Sequence, residues 1–231
     1  MKIAVLVLLS AVVLMAQNTS EVEITAEPHH HVVLENSYTR VFKVEVAPKD
    51  QTLMHRHRHD YIFVVLGPAD IENDVAGKPP VTLKLQDGET RFTEGDFAHV
   101  AKNLSDTTPF RNVTIELLHD KTAPKSAPKV DEERALHVLK GGTEDVMFVK
   151  DNVVVSEIDL QPSGVLSRHR HKAPHLIVAI TDLTLRNDVA GKPPSNIEMK
   201  AGDVKWVRSA VTHALTNVGD KEAKWVTLEF R

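Results

Sequence analysis

Four histidines in the second half of the chain stand at a spacing that suits a metal site. His169, His171 and His175 follow the pattern His-x-His-x3-His, and His213 lies further along the chain. Residues two apart on a β-strand point to the same face, so His169 and His171 would project together. His175 can rejoin that face after the irregularity at Pro174. Because imidazole is the commonest metal ligand among side chains, this pattern predicts a metal site.

The composition narrows the classes of protein to consider. The chain has 231 residues, 42% of them hydrophobic and 26% charged, as in an ordinary soluble globular protein of one large domain or two small ones. It contains no cysteine, which excludes disulfides, thiolate metal sites and cysteine nucleophiles. The net charge of −4 gives no electrostatic reason to expect a nucleic-acid partner. Thirteen histidines against two tyrosines and two tryptophans are the unusual feature that needs a structural explanation.

Residues 1–16 have the pattern of a secretory signal peptide. Lys2 supplies a positive charge, the apolar run Ile3–Met15 is interrupted only by Ser10, and Ala16 is a small residue suited to cleavage. An uncleaved anchor is the alternative, but this run is shorter than the roughly 20 residues that a transmembrane helix needs. We therefore expect a periplasmic or secreted protein that has no membrane contact once the signal segment is removed.

The remaining chain alternates short β patterns with turns. Residues 40–46 and 81–85 alternate apolar and polar positions, and residues 61–66 form a continuous apolar run suited to a strand buried on both faces. No stretch sustains the 3.6-residue period of an amphipathic helix, although residues 130–139 are long enough for one short helix. The sequence predicts an all-β protein.

The two halves of the chain share a repeated octapeptide. Asn-Asp-Val-Ala-Gly-Lys-Pro-Pro occurs at 73–80 and again at 187–194, an offset of 187 − 73 = 114. The same offset places His55 and His57 on His169 and His171, so we interpret the halves as an internal duplication. Between them, residues 119–135 are rich in lysine, proline, alanine and serine, which predicts a linker. The octapeptide itself is most simply an inherited turn, or else part of a pocket rim.

The order of motifs in the second half resembles that of the cupin superfamily. Gly164-x4-His-x-His-x3-His is followed by Gly202-Asp203, a short strand pattern, His213 and Asn217. The resemblance covers most of both halves and implies two double-stranded β-helix barrels, an N-terminal cupin domain at 28–118 and a C-terminal one at 136–231. It also implies that one metal is bound in the C-terminal barrel by His169, His171, His175 and His213, with His175 standing where many cupins have glutamate.

The identity of the metal stays open at this stage. Imidazole suits several divalent ions, and the candidates are Mn, Fe, Ni and Zn. Four protein ligands would complete a tetrahedral shell on zinc and make that site structural. An octahedral ion would instead keep two positions open for water or substrate.

The first half is predicted to carry a degenerate copy of the motif. The offset of 114 places Tyr61 on His175, and aligning Gly95-Asp96 with Gly202-Asp203 requires an offset of 107. That second alignment leaves no histidine at the position of His213, which falls among Asp106, Thr107 and Thr108. The alternative is a rearranged N-terminal metal site drawn from His55, His57, His59 and His99.

A run of three adjacent histidines, His29-His30-His31, precedes this motif. Three consecutive residues on a strand cannot all face one way, so they make a poor single site. We interpret the run as a solvated surface patch.

The leading functional hypothesis is a metal-dependent enzyme acting on a small anionic or chelating substrate. Neutral imidazoles leave the charge of a dication uncompensated, so the centre would attract such a group and polarise it as a Lewis acid. Among proteins that this chain resembles, that chemistry covers dioxygenase, lyase, isomerase and decarboxylase reactions. No catalytic residue is assigned, since Glu198 and Glu229 are candidate acids only by type. The alternative is a non-catalytic protein with a structural metal or a bound small ligand, as a monomer or a homodimer.

Overall fold

The computed structural model describes residues 20–118, 135–208 and 211–231, so the predicted signal peptide and nearly all of the predicted linker lie outside the described residues. In the described part the chain is built from β-strands, with one 3-10 turn at Ile24–Ala26. The all-β prediction is confirmed. No helix within these ranges is long and apolar enough to cross a membrane.

The first half forms two five-stranded sheets that face each other. Their strand orders are β1-β4-β9-β6-β7 and β2-β3-β10-β5-β8. The strands are β1 (Val22–Glu23), β2 (His30–Glu35), β3 (Thr39–Val46), β4 (His55–His57), β5 (Tyr61–Val65), β6 (Ala69–Val75), β7 (Val81–Leu85), β8 (Thr90–Thr93), β9 (Phe97–Asn103) and β10 (Phe110–Leu117).

The second half forms one eight-stranded sheet that wraps into a nearly closed barrel. Its order is β15-β14-β17-β12-β18-β13-β16, with β11 paired to β12. The strands are β11 (Ala135–Lys150), β12 (Val153–His171), β13 (His175–Ala179), β14 (Leu183–Val189), β15 (Ser195–Met199), β16 (Val204–Val207), β17 (Val211–Asn217) and β18 (Ala223–Phe230). The short helix expected within residues 130–139 is wrong for residues 135–139, because β11 is already extended there and goes on to pair with β12.

The strands of the two halves correspond at a constant offset through the metal region. His55 pairs with His99 between β4 and β9, and His169 pairs with His213 between β12 and β17, so 213 − 99 = 114. The expected offset of 107 at this point is wrong. The counterpart of Gly202 is Gly88, since both glycines hold a turn with positive φ, at 82° and 76°.

The two barrels pack against each other through a shared apolar core. The largest buried cluster joins side chains of the first half, such as Val41 and Ile115, to side chains of the second half, such as Val155 and Leu228. Trp206 packs at its edge, with its ring centroid 5.5 Å from that of Tyr38. Each barrel also has an apolar cluster of its own. This packing fixes the sheets on which the histidines stand.

Candidate metal centres

Three of the four predicted ligands in the C-terminal barrel come together. His169 and His171 project from one face near the end of β12, and His213 faces them from β17. One ligand nitrogen of each lies within 4.8 Å of the others. The alternation of side chains along β12 and the β12–β17 register produce this convergence.

Hydrogen bonds fix which nitrogen of each ring can face a metal. In all three rings Nδ1 lies against an acceptor, so Nδ1 carries the proton and Nε2 keeps its lone pair when the ring is neutral. The acceptors are the Ser167 carbonyl oxygen for His169 (2.8 Å), Glu229 Oε2 for His171 (3.0 Å) and Asn187 Oδ1 for His213 (2.9 Å).

The arrangement of these lone pairs fits a bound cation. Nε2 of His169 and Nε2 of His171 are 3.0 Å apart, and neither can donate to the other while both rings are neutral. Nε2 of His213 is buried and has no hydrogen-bond partner. A proton is a poor occupant at neutral pH, because burial and the neighbouring imidazoles lower the pKa of His213 to about 3, and burial also lowers the pKa of His169. A divalent metal would be held by all three Nε2 lone pairs.

His175 lies beside these rings, but the structure does not bring its ligand atom into this group of three. Its side chain is 1% exposed and stacks on the ring of His171, with 3.9 Å between centroids and 22° between planes. Its Nδ1 is buried without a hydrogen-bond partner, and burial lowers its pKa to about 4. The role of His175 as a fourth ligand stays a prediction.

The N-terminal barrel contains the same three-imidazole arrangement. Nε2 of His57 lies 3.2 Å from Nε2 of His55 and 3.1 Å from Nε2 of His99. Nδ1 of His55 donates to the Leu53 carbonyl oxygen at 2.8 Å, and Nδ1 of His99 donates to Asn73 Oδ1 at 2.6 Å. The expectation that the first half has no histidine in the place of His213 is therefore wrong, because His99 stands there.

A further imidazole enters this barrel from the opposite sheet. His30, at the start of β2, is buried, and its ligand nitrogen lies within 4.8 Å of those of His55 and His57. Interpreting the three adjacent histidines as a surface patch is wrong for His30, since the alternation of β2 turns it inward while His31 stays exposed. His59 lies beyond the end of β4 and is not part of this group among the described residues.

The structure also shows where the two candidate acids and two of the arginines lie. Glu229 orients His171 and accepts a hydrogen bond from the Lys172 N–H at 3.3 Å, so it is a positioning residue. Glu198 is exposed on β15 and is not among the residues of the metal centre. Two arginines that alternate with the N-terminal histidines point outward and pair with carboxylates, Arg56 with Glu21 and Arg58 with Glu23.

Sequence reasoning missed the asparagines that hold the late histidines. Asn73 and Asn187 are the first residues of the two octapeptide copies, and each accepts the Nδ1–H of the histidine on the adjacent strand. The repeat was itself the signal, because the segment taken for an inherited turn begins with a residue that contacts the site.

A cavity of about 1040 Å³ opens beside the N-terminal imidazoles. Much of its wall is apolar or aromatic. The lining includes His30, His57, Tyr61, Phe63, Leu83, Phe97 and Phe110, with Lys78, Arg91, Glu94 and Asp96 as charged members.

Comparison with known proteins shows the fold. No protein-family model and no curated protein matches the chain. Among solved structures, oxalate decarboxylase from Bacillus subtilis, studied for its Mn(II) centres, is 13% identical over 84% of this chain and 69% of its own, with a TM-score of 0.58. A formate complex of the Lactobacillus farciminis oxalate decarboxylase is 12% identical over 87% of this chain and 84% of its own, with a TM-score of 0.60. AerE from Microcystis aeruginosa is 11% identical over 89% and 98%, with a TM-score of 0.57.

The similarity to these structures and the strand order define the architecture as two packed double-stranded β-helix barrels. The chain has the cupin fold in its two-barrel form, as the motif resemblance predicted.

Proposed function

We propose that this chain is an exported bicupin that binds a divalent metal in its C-terminal barrel and acts as a metal-dependent enzyme on a small anionic or chelating substrate. The ligands are His169, His171 and His213, with His175 as the fourth. The observation that carries the proposal is the pair of Nε2 atoms 3.0 Å apart, both of which are acceptors because their Nδ1 protons are committed elsewhere.

The fourth ligand is supported by the unpartnered Nδ1 of His175. A buried nitrogen without a partner is costly, and coordination would satisfy it. Its ring stacks on that of His171, so His175 lies beside the other three imidazoles.

A bound divalent metal would supply a Lewis acid that polarises a substrate oxygen. The chain's own part is to hold neutral imidazoles in a fixed orientation. Among the described residues, Glu229 is the carboxylate that hydrogen-bonds one of these rings. Burial alone would raise the pKa of its carboxyl, but hydrogen bonds from His171 and the Lys172 N–H outweigh burial and lower it. A substrate carboxylate would therefore meet a net positive centre.

The solved neighbours support a reaction on a small acid. Two of them are oxalate decarboxylases, and one of these is described with Mn(II) centres. Manganese is accordingly the first metal to test, followed by iron, nickel and zinc.

Metal analysis tests the binding claim. Protein comprising residues 17–231 would be purified without chelators as wild type and as variants. The variants His169→Ala and His213→Ala are expected to lack the metal that the wild type binds at the C-terminal site. The matched control is Arg170→Ala, because Arg170 lies between two proposed ligands but is exposed. Equal metal content in all four proteins would overturn the assignment.

Activity separates the enzyme from a binding protein. Manganese-loaded protein would be incubated with oxalate and with a panel of 2-keto and dicarboxylic acids, and carbon dioxide release and oxygen uptake would be followed. Turnover that is lost in His213→Ala and kept in Arg170→Ala supports the enzyme. A loaded protein that binds metal but turns over none of the panel contradicts a reaction on small acids and favours the non-catalytic alternative.

Export has its own test. Expression of the whole chain with its natural first residues is expected to give periplasmic or secreted protein beginning at Gln17. Intact protein found only in the cytoplasm would contradict this part of the proposal.

A further inference from the structure

The N-terminal barrel holds an imidazole that has no histidine counterpart in the second barrel. His30 lies on β2, and β2 belongs to the sheet opposite the one that carries β4 and β9. The offset of 114 places Glu144 on His30 and Gly141 on Glu27. Strand pairing supports this correspondence, since His30 pairs with Val44 and Glu144 pairs with Ile158, and 158 − 44 = 114.

The hydrogen bond to Glu27 fixes the orientation of the His30 ring. Nδ1 of His30 lies 2.6 Å from Glu27 Oε2. A carboxylate oxygen accepts, so Nδ1 carries the proton and Nε2 of the neutral ring is left as a lone pair. This is the carboxylate–histidine arrangement that orients metal ligands in proteins.

The neighbouring rings bring their Nε2 atoms together around that of His57, and the ligand nitrogens of His30, His55 and His57 lie within 4.8 Å of one another. Nδ1 of His55 and Nδ1 of His99 are both committed as donors, so their Nε2 atoms are acceptors in the neutral rings. Nε2 of His57 contacts both of them, at 3.2 and 3.1 Å, and the single proton it can carry cannot satisfy two acceptors fully. Hydrogen bonding among these rings leaves an acceptor unsatisfied, and a bound cation would take up the Nε2 lone pairs that the rings bring together.

Glu27 brings a buried negative charge to this cluster. Its side chain is 2% exposed and accepts hydrogen bonds from His29, His30 and the Leu53 N–H. Burial alone would raise the pKa of Glu27, but these hydrogen bonds outweigh it and lower the pKa to about 2. His29 balances part of this charge, because its Nδ1 lies 2.9 Å from Glu27 Oε1 and, although burial alone would lower its pKa, hydrogen bonds to Glu27 and Asp50 raise it. The other oxygen of Glu27 is left to orient His30.

We propose that the N-terminal barrel binds its own divalent metal through His30, His55, His57 and His99, with Glu27 as the residue that positions His30. The ligand set draws on both sheets of the barrel, because His55, His57 and His99 stand on one sheet and His30 on the other. This centre is independent of the C-terminal one, so each can be lost without the other.

Stoichiometry and stability test the proposal together. Chelator-stripped, full-length protein without its signal segment would be loaded with Mn²⁺ and, separately, with Zn²⁺, passed through a desalting column and analysed for metal per chain. The wild type is expected to retain two ions per chain. His30→Ala is expected to weaken N-terminal binding by about tenfold or more and to leave one ion, as is His169→Ala through the C-terminal site.

His31→Ala is the matched control, since His31 is adjacent to His30 but exposed on the other face of β2. It is expected to retain two ions. Glu27→Gln keeps the size of the side chain, removes its charge and leaves all four proposed ligands in place. It is expected to weaken N-terminal binding by roughly 10–100-fold, as for other partners that orient a metal-bound imidazole.

Thermal unfolding supplies a second readout, and its titration of the wild type needs no variant. A ligand that binds only the folded state stabilises it by mass action, so wild type and His31→Ala should gain melting temperature in two separable increments as metal is added. His30→Ala should keep only the C-terminal increment. One ion in the wild type that is lost only with His169→Ala, or N-terminal binding unchanged in His30→Ala, would overturn the proposal while leaving the C-terminal site intact.

Discussion

The two barrels share three imidazoles at matching positions but obtain a fourth from different strands. In the N-terminal barrel the fourth is His30 on β2, and Tyr61 stacks on His57 with 4.2 Å between ring centroids. In the C-terminal barrel His175 occupies the place of Tyr61 and stacks on His171, while Glu144 takes the place of His30. The paired strands therefore fix three positions, and the fourth varies with whichever neighbouring strand carries a suitable side chain.

The second histidine of each His-x-His pair, His57 or His171, is called the central histidine, and its hydrogen-bond partners also differ between the barrels. His171 donates to Glu229, whereas Nδ1 of its counterpart His57 is buried without a partner. Glu116 is the counterpart of Glu229 by strand pairing, because it pairs with Tyr61 as Glu229 pairs with His175, although the offset here is 229 − 116 = 113. Glu116 is 0% exposed, and its Oε2 accepts from Arg40 at 3.2 Å. Burial raises the pKa of Glu116. The carboxylate that orients an imidazole in the N-terminal barrel is thus Glu27, which holds His30.

Removing the central histidine of either barrel should give the largest effect. His57→Ala and His171→Ala are each expected to weaken metal binding in their own barrel by more than about 100-fold, beyond the cost of losing a partner that only orients a ligand. Competition with a fluorescent chelator measures both affinities. Loss from both barrels in either variant would contradict two independent centres.

Exchanging the residues at the stacking position tests the fourth ligand. His175→Tyr copies the N-terminal barrel into the C-terminal one and is expected to weaken C-terminal binding by roughly 10–100-fold. Tyr61→His is the reciprocal variant and is expected to retain the N-terminal metal, because its four ligands remain. If His175→Tyr binds metal as tightly as wild type, His175 only stacks and the set has three imidazoles.

Substituting the octapeptide asparagines should give a smaller, barrel-specific effect. Asn73→Leu and Asn187→Leu remove the acceptors that hold His99 and His213, and each should weaken binding in its own barrel by about tenfold. The same titration measures this. If Asn73→Leu and Asn187→Leu change the stability but not the metal affinity, the octapeptide is only a turn.

The metal-free protein should lose stability gradually on acidification. Burial lowers the pKa of His55 and of His175 to about 4, below the ordinary value of 6.5. The unfolded chain therefore binds protons from about pH 6.5 downward that the folded chain does not, and unfolding becomes easier until the pH reaches about 4. Each such histidine lowers the free energy of unfolding by about 1 kcal/mol per pH unit within that window. Denaturant unfolding of stripped protein between pH 7 and 5 measures the slope, and a flat profile would mean that these rings are not buried.

Much of the fold followed from local sequence patterns. The alternation at 40–46 and 81–85 and the apolar run at 61–66 became β3, β7 and β5, because a period of two matches the two faces of a strand. The spacing of His169 and His171 placed both side chains on one face for the same reason. The helix expected within residues 130–139 is wrong for residues 135–139, which are the start of β11. From Lys140 onward this strand pairs with β12, and local propensity does not contain such a tertiary contact.

The parts of the site that were missed depend on contacts between strands distant in sequence. Aligning the two Gly-Asp pairs hides the correspondence between His99 and His213. The offset of 114 that the histidines and the octapeptide share reveals this correspondence. Gly95 serves a different purpose, since a Cβ there would lie 2.4 Å from the backbone of His59. His30 could not be found from its own surroundings, because only the facing of two sheets brings it to His55.

Diffraction at a metal absorption edge tests the central claim most directly. Crystals of wild-type protein loaded with Zn²⁺ and measured at the zinc edge should show two anomalous peaks per chain, each about 2.0–2.1 Å from imidazole nitrogens. One peak is expected among His30, His55, His57 and His99, and the other among His169, His171, His175 and His213. Loaded crystals with no anomalous peak at either cluster would contradict the account.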